Sequence, residues 1–131
     1  MAERSAMILD TCALLWLAAG DKRLSSEAID SIKDSPVVYV SAISGFEMAL
    51  KVVKGKLKLP LDPGSWFTDA IEHHDLTVLP LTAAICIEGA QLPRIHDDPC
   101  DRFIIAAAKK NKWIVVTADA RFEKYGITTI I

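Results

Sequence analysis

The chain is short of several things, and each shortage excludes something. Three cysteines in 131 residues, Cys12, Cys86 and Cys100, are too few and too scattered for a disulfide framework, and an odd count leaves one thiol free. A reducing, cytoplasmic compartment is therefore expected. The longest uninterrupted apolar run, Cys12 to Ala19, falls far short of the roughly 18 residues that a membrane helix requires. Residues 1–6 carry both charge signs and lead into only three clearly apolar residues, so they read as a flexible extension and not as a secretory leader. No excess of one charge exists either: 15 Lys+Arg face 17 Asp+Glu, for a formal charge of -2, with no charged tail. Nothing in that total points to a polyanion partner. Gly-x-x-x-x-Gly-Lys and Gly-x-Gly-x-x-Gly runs are absent, which disfavours nucleotide-cofactor folds. His73, His74 and His96 show neither C-x-x-C nor H-x-x-x-H spacing with the cysteines, which argues against zinc.

What is present is a sequence that is 51% hydrophobic, enough for one compact domain that folds without disulfides or a structural metal. Short aliphatic runs alternate with longer segments of helical spacing. Met7-Ile8-Leu9, Val37–Val40, Thr77-Val78-Leu79 and Trp113–Val116 read as strands, with a weaker fifth at Thr128–Ile131. None alternates polar with apolar, so all are expected to be covered on both faces. Six helices are expected between them. Thr11 caps the first, over Cys12–Ala18, and Ser25 or Ser26 opens the second, to about Lys33. Ser41 or Ser44 opens the third, to about Lys54 with Gly55 as its stop; Asp62-Pro63 the fourth, to about His74; Thr82 the fifth, to about Gln91; and Asp98-Pro99 the sixth, to about Asn111. The order β-α-α-β-α-α-β-α-α-β-β predicts an α/β fold of three layers, α/β/α, around a mainly parallel sheet of four to five strands.

In such sheets the ligand site lies beyond the carboxyl ends of the strands. Asp10 ends the first strand, and Asp119 stands three residues after Val116. Glu47 lies in an early turn of the helix leaving the second strand, and Asp101 in the first turn of the last helix. Four carboxylates are thus predicted to meet on one edge. Two unit charges about 4 Å apart repel by roughly 4 kcal/mol at an effective dielectric near 20, so the cluster needs raised pKa values or a cation. Oxygen-only ligands favour Mg²⁺ or Mn²⁺, which suits phosphodiester hydrolysis. Structural roles compete residue by residue. Ser44-Gly-Phe-Glu47 fits a capping box, Asp98 fits an N-cap, and Asp119 can organise the Thr117–Ala120 turn. Asp10 alone has little structural purpose in this reading.

The stretches Met7–Thr11, Val40–Glu47 continuing to Gly55–Pro60, His96–Arg102 and Val116–Asp119 closely resemble the PIN-domain ribonucleases, and more narrowly the VapC-type toxins of bacterial toxin–antitoxin pairs. The resemblance implies a PIN fold, Mg²⁺- or Mn²⁺-dependent endoribonuclease activity on RNA, and a small cognate antitoxin; a homodimer is expected besides. Asp10, Glu47, Asp101 and Asp119 fall on the family's acidic positions and Thr117 on its hydroxyl position. Asp10 and Asp101 are expected as direct ligands, Asp119 as a direct or water-mediated one, and Glu47 as a water-positioning group or a ligand of a second ion. Cys100 stands where the family commonly has Phe, and Asp97 and Ala118 where basic residues are frequent.

Arg102 is the foremost candidate for a phosphate contact, followed by Lys51 and Lys54 in the basic run after Glu47. His96 reads as a structural histidine or a donor to the acids. Trp16, Leu17, Trp66 and Phe67 read as core or as a partner surface. A phosphoaspartate receiver or a haloacid-dehalogenase-like phosphatase would show adjacent or Asp-x-Asp acids, whereas Asp10 is followed by Thr11-Cys12. The remaining alternative is a catalytically inactive PIN-like binding module. Setting the four acids aside leaves 15 basic against 13 of the 17 acidic side chains, a mildly basic surface around a metal site.

Overall fold

The computed structural model describes residues 6–131, so the expected extension lies, but for Ala6, outside the described residues. Five strands and six helices follow in the order β1 (Met7–Leu9), α1 (Thr11–Ala19), α2 (Ser26–Asp34), β2 (Val38–Ser41), α3 (Ala42–Val53), α4 (Pro63–His73), β3 (Thr77–Leu79), α5 (Ala83–Gln91), α6 (Pro99–Asn111), β4 (Ile114–Val116) and β5 (Thr129–Ile130). A 3₁₀ turn at Phe122–Tyr125, which the sequence reading lacks, joins the last two strands.

Every strand pairing is parallel, in the order β3-β2-β1-β4-β5. Alternation along the strands sorts side chains into two cores. Met7, Leu9, Val38, Val40 and Val116 pack against Ala13, Leu14, Ala28, Ile32 and Ala70 of α1, α2 and α4. On the opposite face Ile8 and Val115 meet Ile85, Ile104, Ile105 and Ala108 of α5 and α6. Ile8 and Leu9 are fully buried, each contributing about 1.5–3 kcal/mol by the usual burial scale. Trp16, Leu17, Trp66 and Phe67 are partly buried against the first core. The edge strand β3 departs from expectation: Thr77 and Val78 are exposed, because only β2 flanks it.

Local chemistry sets the helix starts. Ser25, Ser41, Asp62, Thr82 and Asp98 each accept a backbone N–H of the first helical turn, as caps do. The first helix begins differently from the reading above, since Asp10 is its cap and Thr11 already helical. Gly89 in α5 has a packing reason, because a Cβ there would stand 2.8 Å from the Phe103 ring of α6.

The chain winds outward from β1 through β2 to β3, then crosses to β4 and β5 on the other side. A crevice therefore opens between the carboxyl ends of β1 and β4. The Asp10 N–H donates to the Val116 carbonyl at 3.1 Å, which ties the first residue past β1 to the end of β4.

Candidate metal centre

Asp10, Glu47, Asp101 and Asp119 line one cleft of about 360 Å³ at this crevice, together with Thr11, Cys12, Trp16, Lys51, Asp98 and Ala118. Four elements distant in sequence deliver the four acids.

Asp10 is only 6% exposed and has both oxygens engaged. Oδ1 accepts the Ala13 N–H at 2.8 Å, capping α1, and Oδ2 accepts the Thr117 hydroxyl at 2.6 Å. The acid that had no evident structural role thus has one, and one carboxylate serves helix and cleft together. Thr117, at the end of β4, also accepts the Asp119 N–H at 3.0 Å, so it links two acids.

Glu47 lies inside α3, beyond the capping position, because Ser41 caps that helix and the capping-box reading of Ser44 and Glu47 fails. Its Oε1 accepts the Thr11 hydroxyl at 2.6 Å. Having spent its one proton there, Thr11 receives the Ser44 hydroxyl at 2.8 Å. Asp98 does cap α6, accepting the Cys100 N–H at 2.8 Å, which leaves the first-turn Asp101 to line the cleft.

His96 completes the cluster. It is 2% exposed, and its Nε2 stands 2.9 Å from Asp101 Oδ2 and 3.0 Å from Asp119 Oδ2. In the sequence His96 has no metal-ligand spacing to mark it. Among the described residues, His96, Asp101 and Asp119 form the group whose donor atoms lie within 4.8 Å of one another.

Burial and crowding set the charges. Burial, then the charges of Asp98, Glu47, Asp10 and Asp119, push the Asp101 carboxyl up to about 8. Burial likewise raises Asp10, against the lowering hydrogen bond from Thr117. Asp119 goes the other way, to about 2, because Arg121 grips it with Nε on Oδ1 at 3.0 Å and Nη2 on Oδ2 at 2.7 Å. Burial pushes the Cys100 thiol up to about 11, so it carries no ligand charge at neutral pH.

The basic candidates separate. Lys51 lines the cleft, its Nζ 3.7 Å from Glu47 Oε2. Lys54 is exposed at the end of α3 and outside the cleft lining. Arg102 must be corrected, for it is 9% exposed and all five guanidinium N–H groups are spent on backbone carbonyls. Nε donates to Gly89, Nη1 to Pro93 and His96, and Nη2 to Ala90 and Leu92. No donor remains for a phosphate.

A model of the PIN domain matches residues 7–127. Ribonuclease VapC22 of Mycobacterium tuberculosis is 30% identical over 120 residues, 91% of this chain and 91% of that protein. The solved structure of VapBC2 from Rickettsia felis, bound to a DNA fragment from its promoter, superposes with a TM-score of 0.71 at 14% identity, over 95% of this chain and 97% of that one. DNA-bound VapBC from Salmonella typhimurium gives 0.66 at 19% identity, over 98% of both chains. At such identities these two structures establish the shared fold.

Proposed function

The chain belongs to the PIN-domain family, and we propose from that premise that it is an endoribonuclease, dependent on Mg²⁺ or Mn²⁺, acting as the toxin of a toxin–antitoxin pair. The observation that carries this reading is the convergence of four carboxylates on one cleft at the sheet's switch point, with Asp101 raised to about 8. Burial first and the neighbouring acids second hold that carboxyl high, and a cation in the cleft would offset both. The acidic donors that line it are carboxylate oxygens, which fit a hard divalent ion.

Asp10 and Asp101 would hold the ion, Asp119 would hold it directly or through water, and Glu47 would orient the attacking water. When bound, the ion would neutralise phosphodiester charge and make a water acidic enough to attack. Thr117 fixes Asp10 and, through the Asp119 backbone, the loop that carries the third acid. Arg121 keeps Asp119 ionised and ready. Lys51 supplies a cation at the cleft wall for an RNA phosphate, and Lys54 extends that charge along α3. The partners proposed are RNA, a small cognate antitoxin and a second copy of the chain, in a cytoplasmic setting. Among the described residues no helix is long and apolar enough to cross a membrane.

The test is incubation with a mixed RNA pool, with Mg²⁺ or Mn²⁺ and with chelator, for the wild type and Asp10→Asn. Asparagine keeps the α1 cap and removes the charge. Cleavage should need the ion and vanish in the folded variant. Full activity in Asp10→Asn overturns the assignment.

A further inference from the structure

His96 sits at the centre of the acid cluster with its orientation fixed from every side. The Asp98 N–H points at Nδ1 at 3.2 Å, so Nδ1 is an acceptor and the ring proton of the neutral imidazole belongs on Nε2. That Nε2–H faces one oxygen of Asp101 and one of Asp119, at 2.9 and 3.0 Å. The ring packs edge-on against buried Phe122, with centroids 5.9 Å apart. The His96 backbone N–H donates to the Tyr125 hydroxyl at 2.8 Å, and its carbonyl receives Arg102 Nη1 at 2.8 Å. Tyr125 also receives the Ile95 N–H and donates to the Pro93 carbonyl, while Arg102 holds the Leu92 and Pro93 carbonyls. The loop between α5 and α6 is thus bolted in place by the residue that follows Asp101 and by the turn that follows Asp119.

We propose that His96 is a positioning residue, which yokes Asp101 of α6 to Asp119 of the β4 loop through one shared Nε2–H and is not itself a ligand of the ion. The inference rests on the metal-site reading above. A nitrogen that carries the proton has no lone pair to offer, and moving the proton to Nδ1 would set it against the Asp98 N–H. The yoke gives two acids from separate elements a common spacing before any cation arrives. Partners of this kind, acting on the ligands from behind, govern affinity by about 10- to 100-fold.

Two variants of similar length separate the yoke from mere packing. His96→Gln places an amide N–H where Nε2–H stands, and His96→Met fills the space without a donor. Mn²⁺ affinity is read by electron paramagnetic resonance on the protein alone, with urea unfolding as the control for folding. The Met variant should bind Mn²⁺ at least about ten-fold more weakly than wild type, and the Gln variant should recover most of the loss. Equal binding by wild type and the Met variant overturns the yoke, as does a folded Gln variant as weak as Met. Failure of the wild type to take up Mn²⁺ would instead overturn the metal reading beneath it. Should the Met variant not fold, ¹⁵N NMR of the wild-type imidazole decides: the proton should be on Nε2 and stay there when Mg²⁺ saturates the site. Its loss on adding Mg²⁺ would make His96 a ligand and overturn the proposal.

Discussion

Arg102→Lys is a conservative change at a phosphate contact and a severe one in this structure. The guanidinium donates five hydrogen bonds to five carbonyls, at 2.7 to 3.3 Å, from a position 9% exposed. An ammonium has three protons and no fork, so at least two of the five carbonyls lose their partner. A hydrogen bond to a charged group contributes about 1.5–3 kcal/mol, so the loss should be about 3–6 kcal/mol. That is a large share of the roughly 5–15 kcal/mol that holds a domain of this size together. Urea unfolding followed by circular dichroism measures it, and the midpoint should fall sharply with little change in slope. The loop carrying His96 should be among the first parts to loosen, visible as faster amide exchange at Ile95 and His96, whose N–H groups bond Tyr125. A variant within about 1 kcal/mol of wild type would refute the role assigned to those five bonds.

Two other outcomes follow from the same geometry. Asp101, raised to about 8, keeps a proton in the metal-free fold that the unfolded chain releases near pH 4, and burial shifts Asp10 in the same direction. Metal-free stability should therefore decline as pH rises from about 4 towards 8, by up to about 1.4 kcal/mol per pH unit for each proton held, and saturating Mg²⁺ should flatten the decline. A flat metal-free profile between pH 5 and 8 would contradict the raised carboxyls. Thr117→Val keeps the shape but removes the donor to Asp10 Oδ2 and the acceptor for the Asp119 N–H. The Mg²⁺ concentration for half-maximal RNA cleavage should rise about 10- to 100-fold, and an unchanged requirement would remove Thr117 from the site.

Much of this was legible in the sequence where the controlling chemistry is local. Asp62-Pro63 and Asp98-Pro99 placed the starts of α4 and α6 because a cap followed by proline acts within one turn. The meeting of four acids in one cleft was legible because element order alone places the ends of parallel strands and the starts of the helices that leave them on one edge. The cap role of Asp10 is hidden because Thr11, one residue on, is an equally good cap in sequence, and its other bond is to Thr117, 107 residues away. Arg102 was misassigned for a related reason: an arginine beside an acid looks the same in sequence whether its fork meets phosphate or carbonyls. His96 could not be ranked from spacing, since its partners lie 5 and 23 residues on, one in α6 and the other past the end of β4. Exposure of β3 is a property of sheet order, which its three residues do not encode.

The proposed metal cleft takes its divalent ion on acids of which Asp101 is held protonated by burial first and by neighbouring charges second. Calorimetric titration of Mg²⁺ into the protein, in buffers of different ionisation enthalpy, counts the protons expelled. Because Asp101 stands at about 8, ion uptake at pH 7 should release close to one proton or more, fewer as the pH passes 8, and Asp101→Asn should lose that release. Binding with no proton released at pH 7, or no binding at all, would contradict the account.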